Sequence, residues 1–265
     1  MKKSRGVPIR SEAELAMARR AGHLAAEVLG MIGAHIRPGV TTDAIDRLCH
    51  EHIVNVQRVV PANVGYLGYP KTVLTSVNHV VCHGIPSDKV LRAGDIVNVD
   101  VAVNKDGWFG DCSRMFFVGE PSVLARRLVH ATYEAMRAGI EQVKPGATLG
   151  DVGHAIQSVA QRAGFSVVRD YCGHGIGQVY HDEPQVLHFG RRGEGLRLEP
   201  GMIFTIEPMV NAGRPDTKEL ADGWTVVTRD RSLSAQWEHM VAVTDTGFEV
   251  LTPWPDGYGQ YSAIG

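Results

Sequence analysis

Asp100, Asp111, His174, Glu207 and Glu238 stand in apolar, strand-like or glycine-rich surroundings where an unpaired charge is costly to bury. An isolated buried carboxylate normally shifts its pKa and neutralises, so several converging on one place need a cationic partner. A metal site, a salt-bridge network or a general acid-base pair would each satisfy them. Oxygen ligands with one imidazole suit divalent Mn, Fe(II), Co or Zn. Counting four carboxylates and a neutral imidazole, two divalent ions bring the set to zero, and one leaves about -2. Taken singly, four of the five also fit an ordinary role. Asp100 and Asp111 fit a salt-bridged hairpin face, His174 a glycine turn, and Glu207 the end of a strand before Pro208.

The first pair can be placed by parity. Residues 95–103 alternate as a strand, Asn104-Lys-Asp-Gly107 reads as a hairpin turn, and 108–118 as the returning strand. With Lys105-Asp106 as the loop, Asp100 faces Asp111. With Asp106-Gly107 as the loop, Asp100 faces Ser113. Both registers leave the two carboxylates on one face of the ribbon, because residues two apart share a face.

Around this hairpin the chain alternates helices and strands. Ser11-Glu-Ala-Glu14 is a capping box opening an amphipathic helix that runs to about Arg37-Pro-Gly39. Thr42 is read as the cap of a second helix, strands follow from Thr72 to Cys82, and further helices span about 121–143 and 149–164. Between Asn211 and Trp224 lies a loop rich in Gly, Pro and charge, and a strand from Ser232 to Val243 carries Glu238.

An internal repeat organises these elements. Arg37-Pro-Gly-Val-Thr41 and Lys144-Pro-Gly-Ala-Thr148 lie 107 residues apart, and Leu91-Arg-Ala-Gly-Asp-Ile-Val-Asn-Val-Asp100 recurs as Leu198-Glu-Pro-Gly-Met-Ile-Phe-Thr-Ile-Glu207 at the same offset. Glu207 therefore takes the place of Asp100. A spacing this large indicates duplicated half-domains rather than a solenoid. The expected organisation is a tail over 1–10 and one catalytic domain over 11–265, with halves at about 11–118 and 119–253.

Composition narrows the class. With 265 residues, 44% hydrophobic and 21% charged, the chain is ordinary globular material. A formal net charge of -2 supplies no basic field to recruit nucleic acid. Cys49, Cys82, Cys112 and Cys172 form no CxxC pair, which favours reduced thiols in a cytoplasmic protein. Neither a signal peptide nor an apolar run of the roughly 20 residues a membrane span requires is present.

Gly68-Tyr-Pro-Lys71, Val81-Cys-His-Gly-Ile-Pro86, Asn98-Val-Asp100, Gly110-Asp111, Tyr171-Cys-Gly-His-Gly-Ile-Gly177, His181-Asp-Glu-Pro184, Gly201-Met-Ile-Phe-Thr-Ile-Glu-Pro208 and Ser234-Ala-Gln-Trp-Glu-His239 occur in this order. Together they make the chain resemble the type I methionine aminopeptidases from Ser11 to about Pro253. The resemblance implies the α+β pita-bread fold, two pseudo-symmetric halves around a curved antiparallel sheet with helices on its outer face. It also implies two divalent metal ions (Co, Mn, Fe(II), Zn or Ni) held by Asp100, Asp111, His174, Glu207 and Glu238, with Asp111 and Glu238 bridging. The implied reaction removes the initiator methionine from nascent polypeptides whose second residue is small, a water between the ions being the nucleophile. In it Glu207 is the acid-base residue, His181 stabilises the oxyanion, and His83 contacts the amide nitrogen or assists proton transfer.

The same resemblance places Asn63, Tyr66, Tyr69, Leu74, Tyr180 and Trp224 around the methionine side chain. Asn63 and Leu74 stand where the family commonly has cysteine, and Tyr180 where it commonly has Phe. Carbonyls of Asn78, Val80 and Ser234 match a monovalent-cation site. A monomer making transient ribosome contact, with no specific nucleic acid and no membrane partner, completes the expectation. Two alternatives remain open on the sequence: a relative acting on Xaa-Pro bonds, whose enzymes usually carry an extra N-terminal domain, and a metal-free binding protein. His23, His35, His50, His52, His130, His154 and His188 are read as surface or helix-face residues without a role.

Overall fold

The structure is a computed structural model describing residues 6–254; residues 1–5 of the expected tail and 255–265 of the expected catalytic domain lie outside them. Ser11 caps helix α1 (Glu12–Gly33) reciprocally: its hydroxyl accepts from the Glu14 amide, and the Glu14 carboxylate accepts from the Ser11 amide. The helix ends at Gly33, before the Pro-Gly turn expected to stop it. Helix α2 (Thr42–Glu51) is capped by Thr41 rather than Thr42: Thr41 accepts the Ala44 amide, while the Thr42 hydroxyl donates to the Ser87 carbonyl. Ser122 caps α3 (Val123–Ile140), and Thr148 with Asp151 forms a second capping box for α4 (Leu149–Arg162).

The first half carries β1 (Val60–Pro61), β2 (Val73–Val77), β3 (Val80–Cys82), β4 (Ile96–Lys105) and β5 (Trp108–Phe117). The second carries β6 (Ser166–Val167), β7 (Gly173–Gly175), β8 (Asp182–Val186), β9 (Ile203–Ile206) and β10 (Met209–Asn211). It continues with β11 (Thr217–Glu219), β12 (Val226–Thr228), β13 (Ser234–Gln236), β14 (His239–Val243) and β15 (Phe248–Val250). The segment 212–223 is thus not all loop, and the single strand expected over 232–243 is interrupted at Trp237 and Glu238. Every strand pairing among the described residues is antiparallel. One sheet places β4 between β5 on one side and β1 and β2 on the other; another runs β15-β14-β9-β7-β8.

The 107-residue offset recurs in the backbone. Gly39 N–H donates to the Leu91 carbonyl, and Gly146 N–H to that of Leu198. Leu91 N–H reaches Val40 as Leu198 N–H reaches Ala147. Thr41 bridges Val90 as Thr148 bridges Arg197. Gly39 and Gly146 sit at φ +90 and +85, a region closed to most side chains.

Strand parity then separates core from site. Val97, Val99, Val101 and Val103 of β4 enter the main core with Leu29 of α1, Leu128 of α3 and Ile156 of α4. Each such burial stabilises the fold by about 1.5–3 kcal/mol. Their repeat counterparts Phe204 and Ile206 enter the same core. The alternate residues Asn98, Asp100, Thr205 and Glu207 therefore point the other way, where the two halves meet. Helix α1 approaches β5 so closely that a Cβ on Gly110 would strike the Ala21 carbonyl, which fixes the strand beside Asp111.

Candidate active site

The hairpin resolves to the Asp106-Gly107 loop, with both residues at positive φ (+54 and +84), so Asp100 pairs with Ser113 and Asp111 with Ala102. Both carboxylates stay on one face. Across the halves, the Glu238 amide donates to the Ser113 carbonyl at 3.2 Å, bringing the second half's acid to the first half's hairpin. His174 lies on β7 between two glycines whose reason is packing. A Cβ on Gly173 would meet the Thr205 carbonyl, and one on Gly175 the Glu183 carbonyl. The strand can therefore slot between β9 and β8, directing the imidazole toward the acids.

Every expected ligand, catalytic and pocket residue lines one cavity of about 280 Å³: Asn63, Tyr66, Tyr69, Leu74, His83, Asp100, Asp111, His174, Tyr180, His181, Glu207, Trp224 and Glu238. His174 Nε2 is 3.5 Å from Asp111 Oδ2 and 3.6 Å from Glu207 Oε1. Ligand atoms of Asp111, His174 and Glu238 lie within 4.8 Å of one another. Thr205 Oγ1 donates to Glu207 Oε1 at 2.7 Å and Gln236 Nε2 to Oε2 at 3.2 Å. Asn98 ties this network to the first half, its amide donating to the Gln236 carbonyl at 2.8 Å.

The electrostatics show a site short of positive charge. Burial, then the charges of Asp111 and Glu207, push Asp100 well above the usual carboxylate range. Glu238 is raised in the same way by burial and by Asp111, Glu207 and Asp100. Burial raises Glu207 to about 7, against the lowering effects of His174 and Thr205. For His174, burial lowers the pKa, but the Asp111 hydrogen bond and the charges of Glu207 and Asp111 outweigh it, and the net shift is upward. Oδ1 of both Asp100 and Asp111 is buried with no hydrogen-bond partner among the described residues. No lysine or arginine is among the cavity-lining residues. Buried acceptors without donors, crowded like charges and one convergent imidazole fit divalent cations.

The other cavity wall is imidazole and aromatic. Burial lowers His83 to about 4 and His181 to about 3, each helped by His174. His83 has φ +58, a strained conformation that turns its ring into the cavity while Gly84 packs its backbone on Thr75. His181 Nδ1 is 2.9 Å from the Tyr66 hydroxyl, and the rings stack at 5.1 Å. Tyr69 and Trp224 meet edge to face at 4.9 Å.

The chain matches the model of metallopeptidase family M24 over residues 16–245. It is 54% identical over 250 residues to the methionine aminopeptidase of Rickettsia prowazekii, covering 94% of this chain and 96% of that relative. The crystal structure of methionine aminopeptidase from R. prowazekii superposes with a TM-score of 0.91 at 55% identity, covering 93% of this chain and 99% of that one. The chain belongs to the methionine aminopeptidases of family M24. An X-Pro aminopeptidase from Thermotoga maritima shares the fold alone, at 20% identity and TM-score 0.71, with this chain covering 63% of its length. The likeness to methionine aminopeptidases identifies a hydrolase with the pita-bread architecture, and membership of a metallopeptidase family implies divalent metal binding.

As a methionine aminopeptidase the chain has features its sequence did not announce. Asn63 and Tyr180, which look like separate departures from the family, form one unit: the Tyr180 hydroxyl donates to Asn63 Oδ1 at 2.7 Å, and Asn63 Nδ2 donates to the Thr72 carbonyl at 3.1 Å. The polarity that Asn63 adds is thereby consumed. Leu67, in the turn after Tyr66, also lines the cavity and carried no motif. His188 is not a surface residue. It is fully buried and accepts the Glu207 backbone amide on Nε2 at 3.1 Å. Asn78 and Ser234 are joined by the Ser234 amide donating to the Asn78 carbonyl at 2.8 Å, with Val80 nearby on β3; these residues lie outside the cavity lining. All four cysteines are free. No helix among the described residues is long and apolar enough to cross a membrane.

Proposed function

We propose that the cavity removes the N-terminal methionine from nascent polypeptides whose second residue is small, as a dinuclear metallo-exopeptidase within one catalytic domain over 11–265. The observation that carries this is the convergence of four carboxylates and His174, with two orphaned buried oxygens, beside an aromatic pocket. Asp100, Asp111, His174, Glu207 and Glu238 would hold two divalent ions, Asp111 and Glu238 serving both. When bound, the ions supply Lewis acidity that activates water and polarises the scissile carbonyl. Asn78, Val80 and Ser234 are the corresponding proposal for a monovalent cation.

The chain's own groups perform the remaining steps. Glu207, held by Thr205 and Gln236, accepts the proton of the attacking water and returns it to the leaving amine. A neutral His181 that accepts from Tyr66 on Nδ1 keeps its proton on Nε2, the tautomer that donates to the developing oxyanion. His83, neutral because burial lowers it, contacts the substrate amide. Tyr66, Tyr69, Leu74, Tyr180 and Trp224 receive the methionine side chain; thioether-aromatic contacts contribute about 0.3–1.5 kcal/mol each. A monomeric cytoplasmic enzyme meeting its substrates at the ribosome accords with this substrate class.

A peptide beginning Met-Ala is expected to lose its methionine and one beginning Met-Lys to resist. Release of the first residue from Xaa-Pro peptides in preference to Met-Ala would overturn the assignment. That all five proposed ligands line one cavity supports this reading over a metal-free binding role.

A further inference from the structure

The backbone of Glu207 lies in a gap of the strand ladder. β9 ends at Ile206, β10 begins at Met209, and Pro208 between them has no amide to donate. Pairings on either side of the gap, Ile206 with His239 and Met209 with Gln236, set Glu238 opposite Glu207. Alternate residues of β14 face away from β9, as Met240 does in bonding Leu251 and Thr252, and the Glu238 amide likewise goes to the Ser113 carbonyl of the other half. The Glu207 amide points to the opposite side, where β7 begins only at Gly173. The Glu207 amide donates instead to Nε2 of His188 at 3.1 Å. That ring is fully buried, and its Nδ1 has no hydrogen-bond partner among the described residues. The Glu207 amide is therefore the one polar contact of the ring that the structure shows.

A buried imidazole so used is a poor packing choice, because an apolar side chain would fill the volume without desolvating two nitrogens. It sits seven positions after His181 on the segment that includes β8, so one stretch of chain carries a cavity histidine at one end and grips Glu207 at the other. We propose that His188 is a positioning residue for Glu207, its Nε2 replacing the missing strand acceptor and fixing the backbone from which that carboxylate reaches the cavity. The inference rests on the reading of Glu207 as the proton carrier of the site.

A through-hydrogen-bond 15N–15N coupling between the Glu207 amide and His188 Nε2 is expected in uniformly labelled full-length protein, both metal-free and Zn(II)-loaded. Its absence in both overturns the proposal. In the Mn(II)- or Co(II)-loaded enzyme, His188→Leu is expected to lower kcat on a Met-Ala peptide by about 10- to 100-fold with KM within about 2-fold and metal content unchanged. His188→Gln, whose carbonyl oxygen reaches about as far as Nε2, is expected to recover kcat to within about 3-fold of the parent. A Leu variant within 2-fold of the parent, a Gln variant as slow as Leu, or metal loss matching the activity loss would each contradict it. Should the Leu variant not fold, the coupling and the Gln variant decide. Glu207→Gln separates the two claims: if it is active, the reading of Glu207 fails; if it is inactive while His188→Leu is fully active, only the role of His188 fails.

Discussion

Asp100 and Glu207 are repeat counterparts, yet their surroundings differ at each level. Asp100 lies inside an unbroken ladder, paired with Leu74 on one side and Ser113 on the other. Glu207 lies in a gap, its amide held by His188 and its two oxygens by Thr205 and Gln236. Asp100 has an orphaned buried oxygen and is pushed well above the usual carboxylate range by burial; Glu207, where the charge of His174 and then the Thr205 hydrogen bond oppose burial, rises only to about 7. The 107-residue offset thus places the two acids at equivalent positions, and the side chains around each make them different. The donors and the imidazole around Glu207 accord with its proposed part in proton transfer beside metal binding, and the orphaned oxygen of Asp100 with that of a ligand alone.

The largest expected effect breaks the functional half of this comparison. Glu207→Gln should lower kcat by about 10²- to 10⁴-fold, the usual worth of a positioned acid-base group. His181→Ala should also lower kcat/KM, by about 10²- to 10³-fold, while leaving metal content intact. Equal metal loss in the two variants, measured by elemental analysis against turnover, would contradict separate roles.

A smaller effect sharpens the electrostatic contrast. In metal-free protein Glu207 is raised from 4.5 to about 7, so between those values the folded state binds more protons than the unfolded one. That contribution to stability is complete below about pH 4.5 and is lost as the pH rises through 7. Asp100, Glu238 and His174, all raised, act in the same direction. Divalent ions must displace these protons, so the rise in Tm on adding Mn(II) should grow between pH 5.5 and 8. His83 and His181 are lowered from 6.5 to about 4 and 3, so they lose stability as the pH falls below 6.5. The difference on adding metal is therefore the informative quantity. An increment independent of pH would mean the carboxylates are not displaced protons in waiting.

The smallest effect tests where the halves touch. Tyr180→Phe leaves Asn63 Oδ1 without its donor and should cost about 1–3 kcal/mol of stability with little change in kcat. Thermal unfolding of Tyr180→Phe, Asn63→Ala and the double variant should show coupling of about 0.5–3 kcal/mol. Additive losses would mean the two residues act independently.

Much of the site was legible because its residues violate local expectation. Carboxylates within valine-rich strands and a histidine between glycines stand out at short range, and the repeat aligns Asp100 with Glu207 without a structure. The hairpin register was narrowed to two alternatives and decided by the positive φ of Asp106 and Gly107. What escaped depends on distant pairing. Asn63 meets Tyr180 across 117 residues, and His188, in an ordinary Leu-His-Phe stretch, meets the Glu207 amide 19 residues further on only once the strands are assembled. The cap at Thr41 rather than Thr42 is a different kind of miss, two adjacent threonines offering the same local signal.

On the proposed function, metal bound by these acids makes the cavity a methionine-releasing site. Metal-free protein titrated with Co(II) or Mn(II), with bound metal and free methionine from a Met-Ala peptide followed in the same samples, tests it most directly. Release should be absent without metal, rise with occupancy and reach its plateau by two ions per chain. Release from the metal-free protein, or none at any loading, would mean that metal held by these acids does not drive the reaction.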